Sequence, residues 1–237
     1  MKWIAGYIAA VCLLLIIVAQ SIFIPTFHIM PYFSWHYQQR NIPEVIGIEH
    51  DELMIVTAEL LDYMRGRRDD LAIYATFADG EVRQFFTDPV EIIHMVDVLD
   101  LYDMAFMIRN ISFWLLLLLI FVMAFFNVRI LEVLARCSRE VVVLFLILLA
   151  LLGAVIAWDF DAAFVVFHQI FFNNNYWILD PSTSLLLNMV PQVFFVEISI
   201  IVGALLLIFS IAVIVASTVY LRMFGPRNDT RIVARFR

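Results

Sequence analysis

The sequence predicts an α-helical polytopic membrane protein: four transmembrane helices with a small α+β extracytoplasmic cap. Three observations carry that fold class. Hydrophobic residues make up 64% of the chain and charged residues 16%, against about 45–50% and 25% in average proteins. The apolar residues gather into four runs close to the roughly 20 residues that cross a hydrocarbon core of about 30 Å. A polar stretch, residues 26–109, then separates the first run from the second.

The first apolar run, residues 3–24 of a segment spanning 1–25, follows Lys2 and has small residues at Ala19 and Ser21, as a secretory signal does. It is longer than the apolar core of such a signal, which predicts a retained anchor. Cys12 is not preceded by a convincing lipobox, so the protein is not itself read as a lipoprotein. The second, third and fourth spans are expected within 110–128, 141–158 and 193–221. A cytoplasmic loop at 129–140, an external aromatic-rich segment at 159–192 and a basic tail at 222–237 complete the chain.

Charge asymmetry sets the expected orientation. Arg129, Arg136 and Arg139 lie in the short loop, and Arg222, Arg227, Arg231, Arg235 and Arg237 lie in the tail. The 26–109 segment holds six basic and fifteen acidic residues, and 159–192 has neither Lys nor Arg. The positive-inside rule places both termini and the Arg loop in the cytoplasm. The basic tail fits anionic lipid better than nucleic acid. The two cysteines cannot pair usefully here, and neither reaches the external face. A cysteine nucleophile there is excluded by that topology.

Within the cap, Leu53, Val56, Leu60 and Met64 recur at helical spacing, which predicts a helix over 51–65 stopped by Gly66. Residues 71–77 and 82–86 favour strands and flank Asp79-Gly80, which predicts a hairpin. Asp88-Pro89 opens a second cap helix running through His94 towards Tyr102, with Glu91 at the position of a capping-box glutamate. His94 and Asp97 are three residues apart on that helix and so neighbours on one face. The aspartate is expected to orient the imidazole or to stabilise its protonated form.

All five histidines fall outside the apolar runs. Histidine has an unperturbed pKa of about 6.5 and transfers protons near neutrality. His28, His36 and His50 have no focused polar neighbourhood in the sequence and are read as structural. His94 sits in His94-Met95-Val96-Asp97-Val98, and His168 sits in an aromatic segment that ends in Asn173, Asn174, Asn175, Tyr176 and Trp177. One reading of that segment is an interfacial helix with an aromatic belt; the other is a site. Glu197, just inside the fourth run, is costly there and is a candidate functional group.

Several chemistries are weakly supported. His94, Asp97, His168 and Asp180 offer zinc-compatible ligand types, but there is no His-Glu-x-x-His pair and no external cysteine. Ser182 and Ser184 lie on the external side, but no Gly-x-Ser-x-Gly elbow accompanies them. Glycine-rich phosphate loops are absent, which argues against nucleotide chemistry. Three readings remain open on the residues alone: an acyltransferase, a non-enzymatic sensor with a ligand-binding cap, and a metal-dependent lipid hydrolase.

The sequence resembles the lipoprotein intramolecular transacylases (Lit), a family of bacterial integral membrane proteins. The resemblance rests on Phe85-Phe86-Thr87 leading to His94-Met95-Val96-Asp97-Val98, then Phe167-His168-Gln169-Ile170-Phe171-Phe172. Trp177-Ile178-Leu179-Asp180-Pro181 and Pro191-Gln192-Val193-Phe194-Phe195 follow in the same order. It implies transfer of the sn-2 acyl chain of a diacylglyceryl lipoprotein to the α-amine of its N-terminal cysteine. It implies no cofactor and no metal, diacylglyceryl-modified lipoproteins and membrane lipids as partners, and no nucleic acid. The location it implies is the bacterial plasma membrane, with the active site at the extracytoplasmic face. His94 and His168 are then the expected catalytic pair and Asp97 and Asp180 their expected support. Phe85, Phe167, Phe171, Asn173, Tyr176, Trp177 and Glu197 are the expected substrate contacts. In one departure, a second acid is expected near Ser184, and Ser184-Leu185-Leu186-Leu187 holds none.

Overall fold

In the computed structural model, which describes residues 2–225, four helices are long and apolar enough to cross a membrane. They are α1 (Lys2–His28), α5 (Pro89–Phe125), α6 (Ile130–Trp158) and α9 (Gln192–Phe224). Between α1 and α5 come α2 (Met30–Gln39), α3 (Ile42–Ile46), α4 (His50–Met64) and the strands β1 (Tyr74–Thr76) and β2 (Val82–Gln84). Between α6 and α9 come α7 (Phe160–Phe171) and α8 (Leu185–Met189). The tail arginines Arg227, Arg231, Arg235 and Arg237 lie outside the described residues.

Two connections differ from the sequence reading. The second cap helix and the second span are one 37-residue helix, α5. Nothing between Tyr102 and Ile111 breaks it, since that stretch contains neither Gly nor Pro. At 1.5 Å per residue it is about 55 Å long, well beyond a hydrocarbon core of about 30 Å. Its first half carries Glu91, Asp97, Asp100 and Asp103, so the apolar residues from Ile111 onward are the crossing part. The expected loop at 129–140 is mostly helix. Its charges sit at helical spacing, with Glu132 3.2 Å from Arg136 and 3.6 Å from Arg129, and such pairs support a helix instead of breaking it.

The chain forms two compact units. One comprises the chain up to Val18, Arg109–Leu151 and the helix from Leu206 onward. Its interior gathers Ala10, Met123, Val133 and Cys137. Gly6 permits this packing, because a Cβ at that position would lie 2.4 Å from Val133 Cγ1 and 2.8 Å from Cys137 Sγ. Small residues at such crossings let helix backbones approach within a membrane. The Tyr7 hydroxyl donates to Glu140 Oε2 at 2.5 Å. Cys12 and Cys137 are buried free thiols.

The other unit comprises Ala19–Ile108 and Leu152–Leu205. Its core includes Phe23, Phe27, Tyr37, Leu53, Val56, Ile73, Phe85, Phe86, Met189 and Phe194. Helix α4 buries the predicted face, Leu53, Val56, Leu60 and Met64. The hairpin pairs Tyr74 with Gln84 and Thr76 with Val82. Its turn is wider than the two-residue turn expected: Phe77 N–H donates to Glu81 O at 2.9 Å, and only Gly80 of the turn has positive φ, +83°. That is the three-residue loop in which glycine takes the left-handed position. Helices α2 and α3 were not evident in the sequence. Pro31 and Pro43 suggest breaks there, yet each occupies the first turn of its helix, where the missing N–H costs nothing.

Candidate active site

Helix α5 carries His94, and α7 carries His168 near its end. Asp159 starts α7 as its N-cap, accepting from Ala162 N–H at 2.9 Å. The rings of His94 and His168 face each other with centroids 6.1 Å apart and planes 34° apart. The two histidines singled out from sequence are therefore neighbours in one unit.

His168 is held on several sides. Its Nδ1 lies 2.7 Å from Phe164 O. A carbonyl oxygen only accepts, so Nδ1 carries the proton, and in the neutral ring Nε2 holds the lone pair. The Trp177 indole stacks on the imidazole at 4.7 Å and 29°, and Phe164 lies 4.3 Å away. Phe167 and Phe172 complete the surround at 5.4 and 5.5 Å. Burial pushes the His168 pKa down, against the opposing effect of the Phe164 carbonyl.

His94 stands edge-on to Phe172 at 5.4 Å. Its Nδ1 is buried without a protein partner. Burial, reinforced by repulsion from His168, pushes its pKa down to about 4, with Asp97 opposing. Both rings are thus neutral at neutral pH, the state in which an imidazole can accept a proton at one nitrogen and donate from the other.

The expected supporting acids do something else. Asp97 does not bond the His94 imidazole; its Oδ2 accepts from Asn174 Nδ2 at 2.8 Å. An i,i+3 spacing brings two side chains to one face but does not choose between competing donors. Asp180 is exposed and accepts from Ser182 N–H at 2.8 Å and Ser182 Oγ at 2.7 Å. These bonds order the turn entering α8 and hold the Asp180 carboxyl below the usual range. Glu91 does not close a capping box either. It is fully buried, and its Oε1 accepts from Ser184 Oγ at 2.5 Å and Leu186 N–H at 2.9 Å. Ser184 thus meets an acid brought by α5.

The expected substrate contacts divide. The rings of Phe167 and Phe171 lie 4.8 Å apart, tilted by 45°, and keep 43% and 46% of their surface exposed. Asn173 and Tyr176 are also exposed, and Trp177 is half-buried on His168. Phe85 is no contact surface: it is wholly buried, its ring 4.9 Å from Phe86 and 6.4 Å from Phe77. Its apolar, strand-adjacent position placed it in the cap core. Glu197 is already occupied, with Oε2 2.7 Å from His36 Nδ1 and 2.9 Å from the Tyr32 hydroxyl, and Oε1 2.8 Å from Arg40 Nη2.

His36 shows no polar neighbourhood in sequence, but in the structure it shares Glu197 with Tyr32 and Arg40. Tyr32, His36 and Arg40 recur every fourth residue, a signal legible only once α2 is known to be a helix. His50 bonds Ser34 Oγ at 3.0 Å through Nε2, and His28 is exposed. Among the described residues, no three His, Cys, Asp or Glu side chains gather as metal ligands. The four offered to zinc by the sequence form no such group.

A family model described as lipoprotein intramolecular transacylase Lit matches residues 7–195. Among solved structures, the chain is similar to the membrane integral lipoprotein intramolecular transacylase Lit from Bacillus cereus. The TM-score is 0.72 at 16% identity, over 94% of this chain and 97% of that one. Two variants of the Bacillus cereus protein, with a histidine replaced by alanine or by arginine, align with TM-scores of 0.70 at 17% identity. Those alignments cover 94% of this chain and 94% and 93% of theirs. No curated protein matches the chain.

Proposed function

The chain belongs to the lipoprotein intramolecular transacylase family and is a membrane acyltransferase, and on that premise we propose that His94 and His168 transfer the sn-2 acyl chain of a diacylglyceryl lipoprotein to its own N-terminal cysteine amine. The observation that carries this reading is the bond from His168 Nδ1 to Phe164 O at 2.7 Å, which leaves Nε2 as a base beside a second imidazole.

The reaction follows from that arrangement. The substrate amine has a pKa of about 7.7–8.0, so a useful fraction of it is a neutral nucleophile near neutrality. Its nitrogen attacks the ester carbonyl carbon, and a tetrahedral oxyanion forms. His168 Nε2 takes the proton lost by the nitrogen and returns it to the glyceryl oxygen as the carbon–oxygen bond breaks. His94, neutral at this pH, donates an N–H to the oxyanion. An amide forms, an ester is lost, and the glycerol keeps a free hydroxyl at sn-2. No acyl-enzyme is formed.

General acid–base help of this kind contributes about 10²–10⁴-fold. Confinement contributes more, because effective molarities of well-oriented groups reach about 10⁵–10⁸ M. The exposed rings of Phe167, Phe171 and Tyr176 would line the acyl and glyceryl groups. The positive-inside pattern supports cytoplasmic termini and a site on the outer face of a bacterial plasma membrane.

The test is expression in a bacterium that makes diacylglyceryl lipoproteins, with the N-terminus of a reporter lipoprotein read by mass spectrometry. One acyl chain should move from glycerol to the amine, and His94→Ala and His168→Ala should each abolish the movement. Simple loss of the chain would identify a hydrolase instead. Full transfer by the double histidine variant would refute the mechanism.

A further inference from the structure

On α5, Glu91, His94 and Asp97 follow one another at intervals of three residues, and the histidine is the middle one. Both flanking carboxylates reach the segment that follows α7. Glu91 Oε1 accepts from Ser184 Oγ and from Leu186 N–H, at 2.5 and 2.9 Å. Asp97 Oδ2 accepts from Asn174 Nδ2 at 2.8 Å. The segment between residues 172 and 186 is thus fastened to α5 on either side of His94.

The Asn174 fastening extends to the other histidine. The Asn174 carbonyl accepts from Trp177 Nε1 at 3.0 Å, and its Oδ1 accepts from Tyr176 N–H at 3.0 Å. Those two bonds close a tight turn and set the indole plane. The indole then stacks on His168 at 4.7 Å. A continuous path therefore runs from the His94 helix through Asp97, Asn174 and Trp177 to the His168 ring. Every partner in it is a directional hydrogen bond or a flat stack, so the path constrains orientation as well as distance.

We infer that Asn174 is a positioning residue: tied to Asp97 and holding Trp177, it sets the orientation of His168 relative to His94. Asp97 serves as the anchor of that tie and not as an orienting partner of the His94 imidazole. The inference rests on the transacylase reading for its kinetic consequence, but its geometric content is independent of the reaction. Asn174 and Asp97 bond each other and act on His168 through Trp177. Their loss should lower turnover far more than it alters substrate affinity, because a misplacement of about 1 Å costs on the order of 10²-fold.

The experiment has two arms on full-length protein in detergent or vesicles. In the first, kcat and KM of lipoprotein transacylation are measured for Asn174→Ala, Asp97→Ala and Asp97→Asn. Asn174→Ala and Asp97→Ala should each lower kcat on the order of 10²-fold with KM little changed. Asp97→Asn keeps an acceptor oxygen at the same reach and should restore most of the lost turnover. A kcat unaffected by Asn174→Ala overturns the inference. So does an Asp97→Asn protein as poor as Asp97→Ala, which would assign Asp97 a role through its charge.

In the second arm, tryptophan fluorescence is followed from neutral to acid pH. A protonated imidazole stacked on an indole quenches it, so Trp177 reports the His168 proton. Trp177→Phe and His168→Gln identify this signal by removing it. Asn174→Ala keeps the main-chain carbonyl that accepts from Trp177 but loses the side-chain bonds to Asp97 and Tyr176, so it should weaken the quench, and a quench of unchanged amplitude overturns the inference. If the wild-type protein moves no acyl chain, the reaction assignment falls while this arm still decides whether Asn174 holds Trp177 on His168.

Discussion

Oε2 of Glu197 lies 2.7 Å from Nδ1 of His36, an imidazole with no exposed surface. An ionised carboxylate accepts only, so the ring nitrogen is the donor. With Arg40 and Tyr32 also donating, the acid at the start of α9 is compensated by two groups of α2 and by its C-cap residue, Arg40. That explains how an acid is tolerated just inside an apolar helix. It also makes Glu197 a fastening of α2 to α9. Glu197→Ala leaves His36 Nδ1 without its acceptor and should lower stability by about 1–3 kcal/mol. Glu197→Gln, which keeps a carbonyl oxygen, should lose less. Thermal unfolding in detergent checks both, and an alanine variant as stable as wild type would discount the fastening.

Phe85 supplies a second test, because the structure moves it from the site to the core. Phe85→Ala should lower stability by about 3–5 kcal/mol, the usual range for emptying a buried aromatic position. Phe85→Leu should retain the fold and leave KM for the lipoprotein unchanged. A raised KM in a stable Phe85→Leu protein would return this residue to substrate binding.

The histidine pair makes a pH prediction. Burial holds the His94 pKa at about 4 and lowers that of His168. The acid limb of kcat/KM should therefore follow the substrate amine, at about 7.7–8.0, with no limb near the ordinary histidine value of about 6.5. A limb at that lower pH would show that a histidine titrates normally.

Stability carries the same sign. The folded His94 binds its proton less readily than the unfolded residue. Its contribution is complete above about pH 6.5 and is lost as pH falls towards about 4. Acid unfolding of wild type against His94→Gln measures it, and superimposable profiles through that window would contradict the buried neutral ring.

Gly6 tests the packing of the first helix. A methyl group there meets Val133 and Cys137 below van der Waals distance. Gly6→Ala should destabilise by about 1–3 kcal/mol, and Cys137→Ala in the same protein should recover part of the loss. A Gly6→Ala protein that melts with wild type would show that the helices separate without cost.

The sequence by itself determined the class of protein, the four apolar helices, the amphipathic α4 and the hairpin, and it singled out His94 and His168 as candidates. Hydropathy runs, helical periodicity and turn residues are properties of neighbours along the chain, so a linear reading recovers them. It also showed the acids at 91 and 97, but not their partners, and it gave no sign that Tyr32, His36 and Arg40 converge on one carboxylate. Asp97 meets an asparagine 77 residues away, Glu91 a serine 93 away, and His36 a glutamate 161 away. Only the tertiary structure decided those pairings. Burial makes most polar groups find a partner, and which partner is within reach depends on how distant segments pack. The same packing brings the two histidine rings to 6.1 Å, turning two separate residues into one pair.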